Sequence, residues 1–141
     1  MIIFNYETDF SLDNSDEIID WLVRAVETEN FNIDEISYIF CSDDYLLDIN
    51  NKYLKHNTLT DIISFDETMG KMIAGDIFIS IDRVRENADI YKVSFNNELH
   101  RVMIHGVLHF CGYKDKSKEE KGIMREKEDY YLSLRDFKCS T

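Results

Sequence analysis

Two of the chain's four histidines stand four residues apart, in His105-Gly-Val-Leu-His109. On an α-helix, four residues turn the chain by about 400°, so the two imidazoles lie about 40° apart on one face. Side chains placed this way can reach a single ion, each at about 2.0–2.1 Å. The segment continues Phe-Cys-Gly112-Tyr-Lys-Asp115. Glycine tolerates the left-handed conformation that ends helices, so the chain can reverse at Gly112 and return Asp115 to the same ion. Three protein ligands leave a fourth position for water, the arrangement of a catalytic zinc site rather than a closed structural one. Such an ion lowers the pKa of its water toward about 7 and polarises the bond under attack. Aspartate is a hard, anionic ligand, so another divalent transition metal, Fe(II), Mn(II) or Co(II), is also admitted. Cys111 follows His109 by two positions, points about 200° round the helix, and reads as core.

The spacing matches a zinc-protease pattern, H-E-x-x-H-x-x-G-x-x-H, with aspartate in the last ligand position. In that pattern the residue after the first histidine is the glutamate general base. Here it is Gly106, which accepts no proton, so proteolysis by that route is disfavoured. Glu98, Glu119 and Glu120 are expected to reach the ion only through a fold-back of the chain. Phosphodiester hydrolysis asks less of a dedicated glutamate, because a metal-activated water can attack and cationic side chains can stabilise phosphoryl charge. Lys114 and Lys116 flank Asp115 and are candidates for that role.

The elements that must hold these residues can be read from periodicity. Ile2–Tyr6 predicts a strand. Asp13–Glu29 has apolar residues at helical spacing, with Ser15 or Asp16 as its cap. Glu35–Cys41 alternates as a strand, and Asp43–Leu54 reads as a short helix. Asp61–Phe65 and Met72–Ile81 predict two strands joined by a turn at Gly70. Asp82–Tyr91 and Asn96–Cys111 predict helices. A last helix begins at Ser117, where Glu120 stands at capping-box distance. The order βαβαββααα implies an α/β fold in which a mixed four-stranded sheet packs against helices. The short link at Gly70 requires one antiparallel pair. With no proline and no low-complexity linker, residues 1–141 are expected to form one domain.

Charge narrows the partners. The net charge is −12, and residues 1–50 supply all of it, with 13 acids against the single base Arg24. Residues 51–141 are neutral, and residues 100–127 carry seven bases against four acids. A polyanion is therefore repelled by the first part and can be received by the second. Cys41, Cys111 and Cys139 are odd in number and widely spaced, which argues against a disulfide framework and for a reducing compartment. No apolar run approaches the roughly 20 residues of a membrane span, and the start at Met1 lacks signal-peptide features. A soluble cytoplasmic protein with no membrane partner is expected.

Residues His105–Asp115 resemble the signature H-G-x-L-H-x-x-G-Y-D-H of the YbeY family of bacterial ribosomal-RNA maturation factors. Three further stretches are similar: Ile49-Asn50 followed by Tyr53, Thr60-Asp61-Ile-Ile-Ser64-Phe65, and Gly75-Asp76-Ile-Phe-Ile. Together they cover about residues 45–135. The first forty-odd residues match only as a compatible strand-helix-strand. The resemblance implies a metal-dependent endoribonuclease that uses zinc, acts on RNA rather than DNA, and matures the 3′ end of small-subunit ribosomal RNA. It also implies a role in ribosome quality control, with the small ribosomal subunit, one of its proteins and an assembly GTPase as partners. Asp115 stands where the family pattern has a third histidine, and Lys114 where it has aspartate. Leu54 stands where the family has an arginine, for which Lys55, His56 or Lys52 can substitute. The expected RNA contacts are Lys52, Lys55, Arg101, Lys114 and Lys116. The alternatives are a ribosome-assembly factor with a structural metal and, further off, a zinc metalloprotease.

Overall fold

The computed structural model describes residues 1–56 and 58–137, so Cys139 lies outside the described residues. Its elements run β1 (Ile2–Tyr6), α1 (Ser15–Thr28), β2 (Asn32–Cys41), α2 (Asp43–Tyr53), β3 (Ile62–Asp66) and β4 (Met72–Ser80). Three helices follow: α3 (Ile81–Tyr91), α4 (Phe95–Phe110) and α5 (Lys118–Ser133). This is the expected βαβαββααα order. Strands lie in the sheet order β1-β2-β4-β3. β1, β2 and β4 are parallel, and β3 pairs antiparallel with β4 across the turn at Gly70.

Alternation along the strands sends successive side chains to opposite faces of the sheet. Ile36, Tyr38 and Phe40 of β2, with Ile73, Ile77 and Ile79 of β4, join residues of α1, α4 and α5 in the main core. Cys41 and Ile63 face the other way, in a smaller cluster with Leu46 and Ile49 of α2. Two buried hydrogen bonds fix the helices over the sheet. Tyr38 Oη donates to the Met103 carbonyl of α4 at 2.9 Å, and Trp21 Nε1 of α1 donates to the Tyr131 carbonyl of α5 at 2.8 Å.

Helix ends follow side-chain chemistry at most positions. Ser42, Ser80, Ser94 and Ser117 each accept a backbone N–H at the start of a helix. Ser117 and Glu120 form the reciprocal capping box the spacing predicts. The start of α1 differs from expectation. Asn14, not Ser15 or Asp16, is the cap residue, in the left-handed region at φ 57°, and makes no side-chain bond to the helix backbone. Its amide donates to Glu17 Oε2 at 2.6 Å instead.

α4 carries its two faces to different tasks. Leu99, Met103, Val107 and Phe110 are buried in the core. Gly106 also points inward, and a Cβ there would lie 2.9 Å from Ile77 Cδ1 and 3.1 Å from Ile62 Cδ1. The helix therefore sits closer to β3 and β4 than any larger residue permits. His105 and His109 are half-buried and line a cavity beside this contact.

Candidate metal centre

His105 Nε2 and His109 Nε2 approach to 2.9 Å. Asp115 Oδ2 lies 3.1 Å from the first and 3.3 Å from the second. Ligands on a tetrahedral ion at about 2.0–2.1 Å stand about 3.3 Å apart, so this triangle has the size a single ion requires. The outer nitrogens set the tautomers. His105 Nδ1 meets Glu128 Oε2 at 2.6 Å, and His109 Nδ1 meets the Tyr113 carbonyl at 2.9 Å. Both partners are acceptors, so each ring donates through Nδ1, and in the neutral ring this leaves a lone pair on Nε2. Two such lone pairs and a carboxylate oxygen converge on one point, an arrangement suited to a bound cation. His105, His109 and Asp115 could thus hold a metal ion.

The turn that returns Asp115 is built as the sequence requires. Gly112 takes φ 102°. Its N–H donates to the His109 carbonyl at 2.9 Å, and the Tyr113 N–H to the Leu108 carbonyl at 3.1 Å, the two bonds of a Schellman stop. The same turn swings the Tyr113 carbonyl back onto His109, so the helix stop also orients a donor ring.

Glu128 does the corresponding work for His105 from α5. It also accepts from Arg101 Nη1 at 2.9 Å, and Arg101 Nη2 donates to Asp129 at 2.7 Å. Burial pushes the Glu128 carboxyl up, but His105 and Arg101 hold it below its usual range. Burial likewise works against charge on His105, and Glu128, Asp115 and Asp61 together outweigh it and raise the ring above the usual imidazole value. Outer partners of metal-bound histidines are typically worth about 10–100-fold in metal affinity. Glu128→Gln should therefore weaken metal binding by about tenfold or more, as measured by competition with a chromogenic chelator.

A second network braces the turn from behind. Tyr113 Oη donates to Glu29 Oε1 at 2.7 Å, and Tyr131 Oη and Lys127 Nζ donate to Glu29 Oε2, the latter at 3.2 Å. Burial raises Glu29, but these three donors together hold it below its usual value. A depressed carboxyl contributes stability that is present above the unfolded value and lost as pH falls through the folded one. Wild-type protein should therefore lose part of its stability on acidification below about pH 4.5. Glu29→Gln should be less stable at pH 7 by about 1–3 kcal/mol, with a flatter acid limb in thermal melts.

The remaining predicted residues divide. Lys114 and Lys116 are exposed beside Asp115 and line a shallow depression with it and His109. Arg101 lines the main cavity but is held by Glu128 and Asp129. Lys52, Lys55 and His56 are exposed and are not among the residues lining that cavity. They belong to the end of α2 and the loop after it, which Asn50 fastens by donating to the Thr58 carbonyl at 2.9 Å. That bond accounts for Ile49-Asn50 in the sequence pattern: it secures the loop that leads to Thr60 and Asp61 on the cavity wall. Cys111 is half-buried against the core, as expected.

The expectation for glutamates needs correcting. Glu98 lines the cavity with no fold-back, while Glu120 is occupied in the capping box and Glu119 is exposed. Seven residues turn a helix by about 700°, within about 20° of two full turns, so Glu98 shares the face of His105. That signal was available in the sequence. Glu128 and the Tyr113 carbonyl had none, because tertiary packing alone brings them in. Gly106 faces the sheet, and so the position after the first histidine could not serve the cavity.

Fold and site together define an α/β protein with a His-His-Asp cluster on a helix and its returning turn. The family model described as endoribonuclease YbeY matches residues 3–135, extending the likeness through the first strand and helix. The chain belongs to the YbeY family. Endoribonuclease YbeY of Flavobacterium psychrophilum is 58% identical over 134 residues, covering 95% of this chain and 96% of its own. That of Bacteroides thetaiotaomicron is 44% identical over 119 residues, covering 84% and 87%. The solution structure of TM1509 from Thermotoga maritima superposes with a TM-score of 0.69 at 26% identity, over 94% of this chain and 87% of that one.

Proposed function

We propose that this protein is a single-domain, metal-dependent endoribonuclease, with one zinc ion held by His105, His109 and Asp115, that matures the 3′ end of small-subunit ribosomal RNA. The observation that carries the metal is the convergence of two imidazole lone pairs and a carboxylate oxygen within 3.3 Å. The RNA substrate rests on membership of a family described as endoribonuclease. A role in ribosome quality control, contacts with a small-subunit protein and an assembly GTPase, and a cytoplasmic location belong to the same reading. No helix among the described residues is long and apolar enough to cross a membrane, which accords with it.

The ion, when bound, supplies a Lewis acid and a water of lowered pKa. The chain's own residues do the rest. Glu128 and the Tyr113 carbonyl keep both imidazoles in the tautomer that presents Nε2. Lys114 and Lys116 bring positive charge to the phosphate side of the site. Arg125, with its side chain 58% exposed at the cavity rim, adds a third cation.

The test is cleavage of an RNA spanning the 3′ end of the small-subunit ribosomal RNA and its precursor extension. Discrete fragments should form, vanish with chelator, and return with added zinc. Protein purified without added metal should carry about one equivalent, falling sharply in Asp115→Ala. Intact RNA under zinc, iron, manganese and cobalt alike would overturn the nuclease, and an absence of bound metal would overturn the site.

A further inference from the structure

The cavity beside the triad has a volume of about 460 Å³, within the roughly 300–1,000 Å³ of small-molecule sites. His105, His109 and Asp115 form part of its wall. Another part of its wall is formed by Asp61, Asn87, Tyr91 and Glu98.

Glu98 is only 4% exposed. Among the described residues its carboxylate makes no hydrogen bond or ion pair, yet no sealed side-chain oxygen lacks a partner. Its oxygens are therefore open to the cavity. Burial first, then the Asp61 carboxyl, push it up to about 7, while Arg101 and Arg125 pull the other way. A carboxyl this deep with nothing to accept from is costly, and the cost is recovered when a donor enters.

Asn87 and Tyr91 lie one turn apart on α3, on one face. Tyr91 is 57% exposed, and among the described residues its ring stacks on no other. The Asn87 amide likewise makes no hydrogen bond among the described residues. An exposed aromatic ring, an amide one helical turn from it and a buried carboxylate, all lining one cavity, are what an unstacked nucleobase needs: a platform and edge partners.

The carboxylate selects among bases. Guanine's Watson–Crick edge offers two adjacent donors, N1–H and the 2-amino group, matching the two carboxylate oxygens. Adenine and cytosine set an acceptor beside their amino group. Uracil sets its N–H between two carbonyls, which a carboxylate repels. We propose that Tyr91, Asn87 and Glu98 form a nucleobase subsite, selective for an unpaired guanine, beside the phosphate position at the triad. This deepens the endoribonuclease reading and rests on it for the placing of the phosphate.

The test compares guanosine and inosine 5′-monophosphates, which differ only in the 2-amino group, on the metal-loaded protein at pH 8. Wild type should bind the guanosine nucleotide at least about fivefold more tightly. Glu98→Gln should bring that ratio near one. Tyr91→Ala, at an exposed position that leaves the core intact, should weaken both nucleotides at least about fivefold and keep the ratio. A wild-type ratio near one, or a ratio unchanged in Glu98→Gln, overturns the subsite. So does Glu98→Gln reducing Mg²⁺ binding without altering the ratio, since the carboxylate would then serve a cation. RNA cleavage by the same samples is a separate readout. Discrimination without cleavage supports the subsite and counts against the nuclease; cleavage without discrimination does the reverse.

Discussion

His105→Ala should lower RNA cleavage at least about a thousandfold while the protein stays folded. A thousandfold corresponds to about 4 kcal/mol of lost transition-state stabilisation, within the several kcal/mol a positioned metal supplies. The substitution removes one of three donors and the partner that orients Glu128. The fold should survive because the His105 side chain is 20% exposed and lies off the core face of α4. Glu128 also keeps its ion pair with Arg101 at 2.9 Å. Circular dichroism and thermal melting should match wild type to within a few degrees, and bound metal should fall sharply. Equal cleavage by mutant and wild type would assign the activity to a contaminating nuclease.

Gly106→Glu should unfold the protein rather than make it a protease. The change completes H-E-x-x-H in the sequence, so a reading of motif alone expects proteolysis. The structure predicts the opposite. A Cβ at this position already meets Ile77 Cδ1 at 2.9 Å, Ile62 Cδ1 at 3.1 Å and Ile77 Cγ2 at 3.2 Å. Ile77 is fully buried and has nowhere to move. A carboxylate pressed into that contact is unpaired and desolvated, and α4 must lift from β3 and β4 to relieve it. The expected cost exceeds about 4 kcal/mol, a large share of a domain's total of about 5–15 kcal/mol. Soluble yield and the urea midpoint should both collapse. A stable Gly106→Glu protein that cleaves casein would overturn this account of the helix contact.

The element order was legible because each segment has a clean period and its ends have recognisable chemistry, as at Ser117 and Glu120. The strand order was not. Nothing local says that β4 inserts between β2 and β3, since that depends on which apolar faces meet across the chain. The start of α1 misled because Ser15 and Asp16 are good caps by type, whereas Asn14 takes the left-handed conformation and spends its side chain on Glu17. At the site, His105, His109, Gly112 and Asp115 could be placed from helix geometry alone, because they are close in sequence. Glu98 obeys the same geometry two turns earlier, so the expectation that only a fold-back brings it in overlooks the helical repeat. Glu128 comes from a different helix and had no sequence signal at all.

The three donors sit on supports of unequal stiffness. His105 and His109 ride on a helix whose other side is the core, so their spacing cannot drift without disturbing the whole domain. Asp115 rides on a surface turn after Gly112, anchored by two backbone bonds and a tyrosine. Substitution at this one position can change the hardness and charge of the donor set at little cost to the fold. The family pattern carries histidine there and this chain carries aspartate. For the proposed metal site, the choice of ion would thus be set at one replaceable corner, while the spacing of the histidine pair is fixed by the helix that carries it.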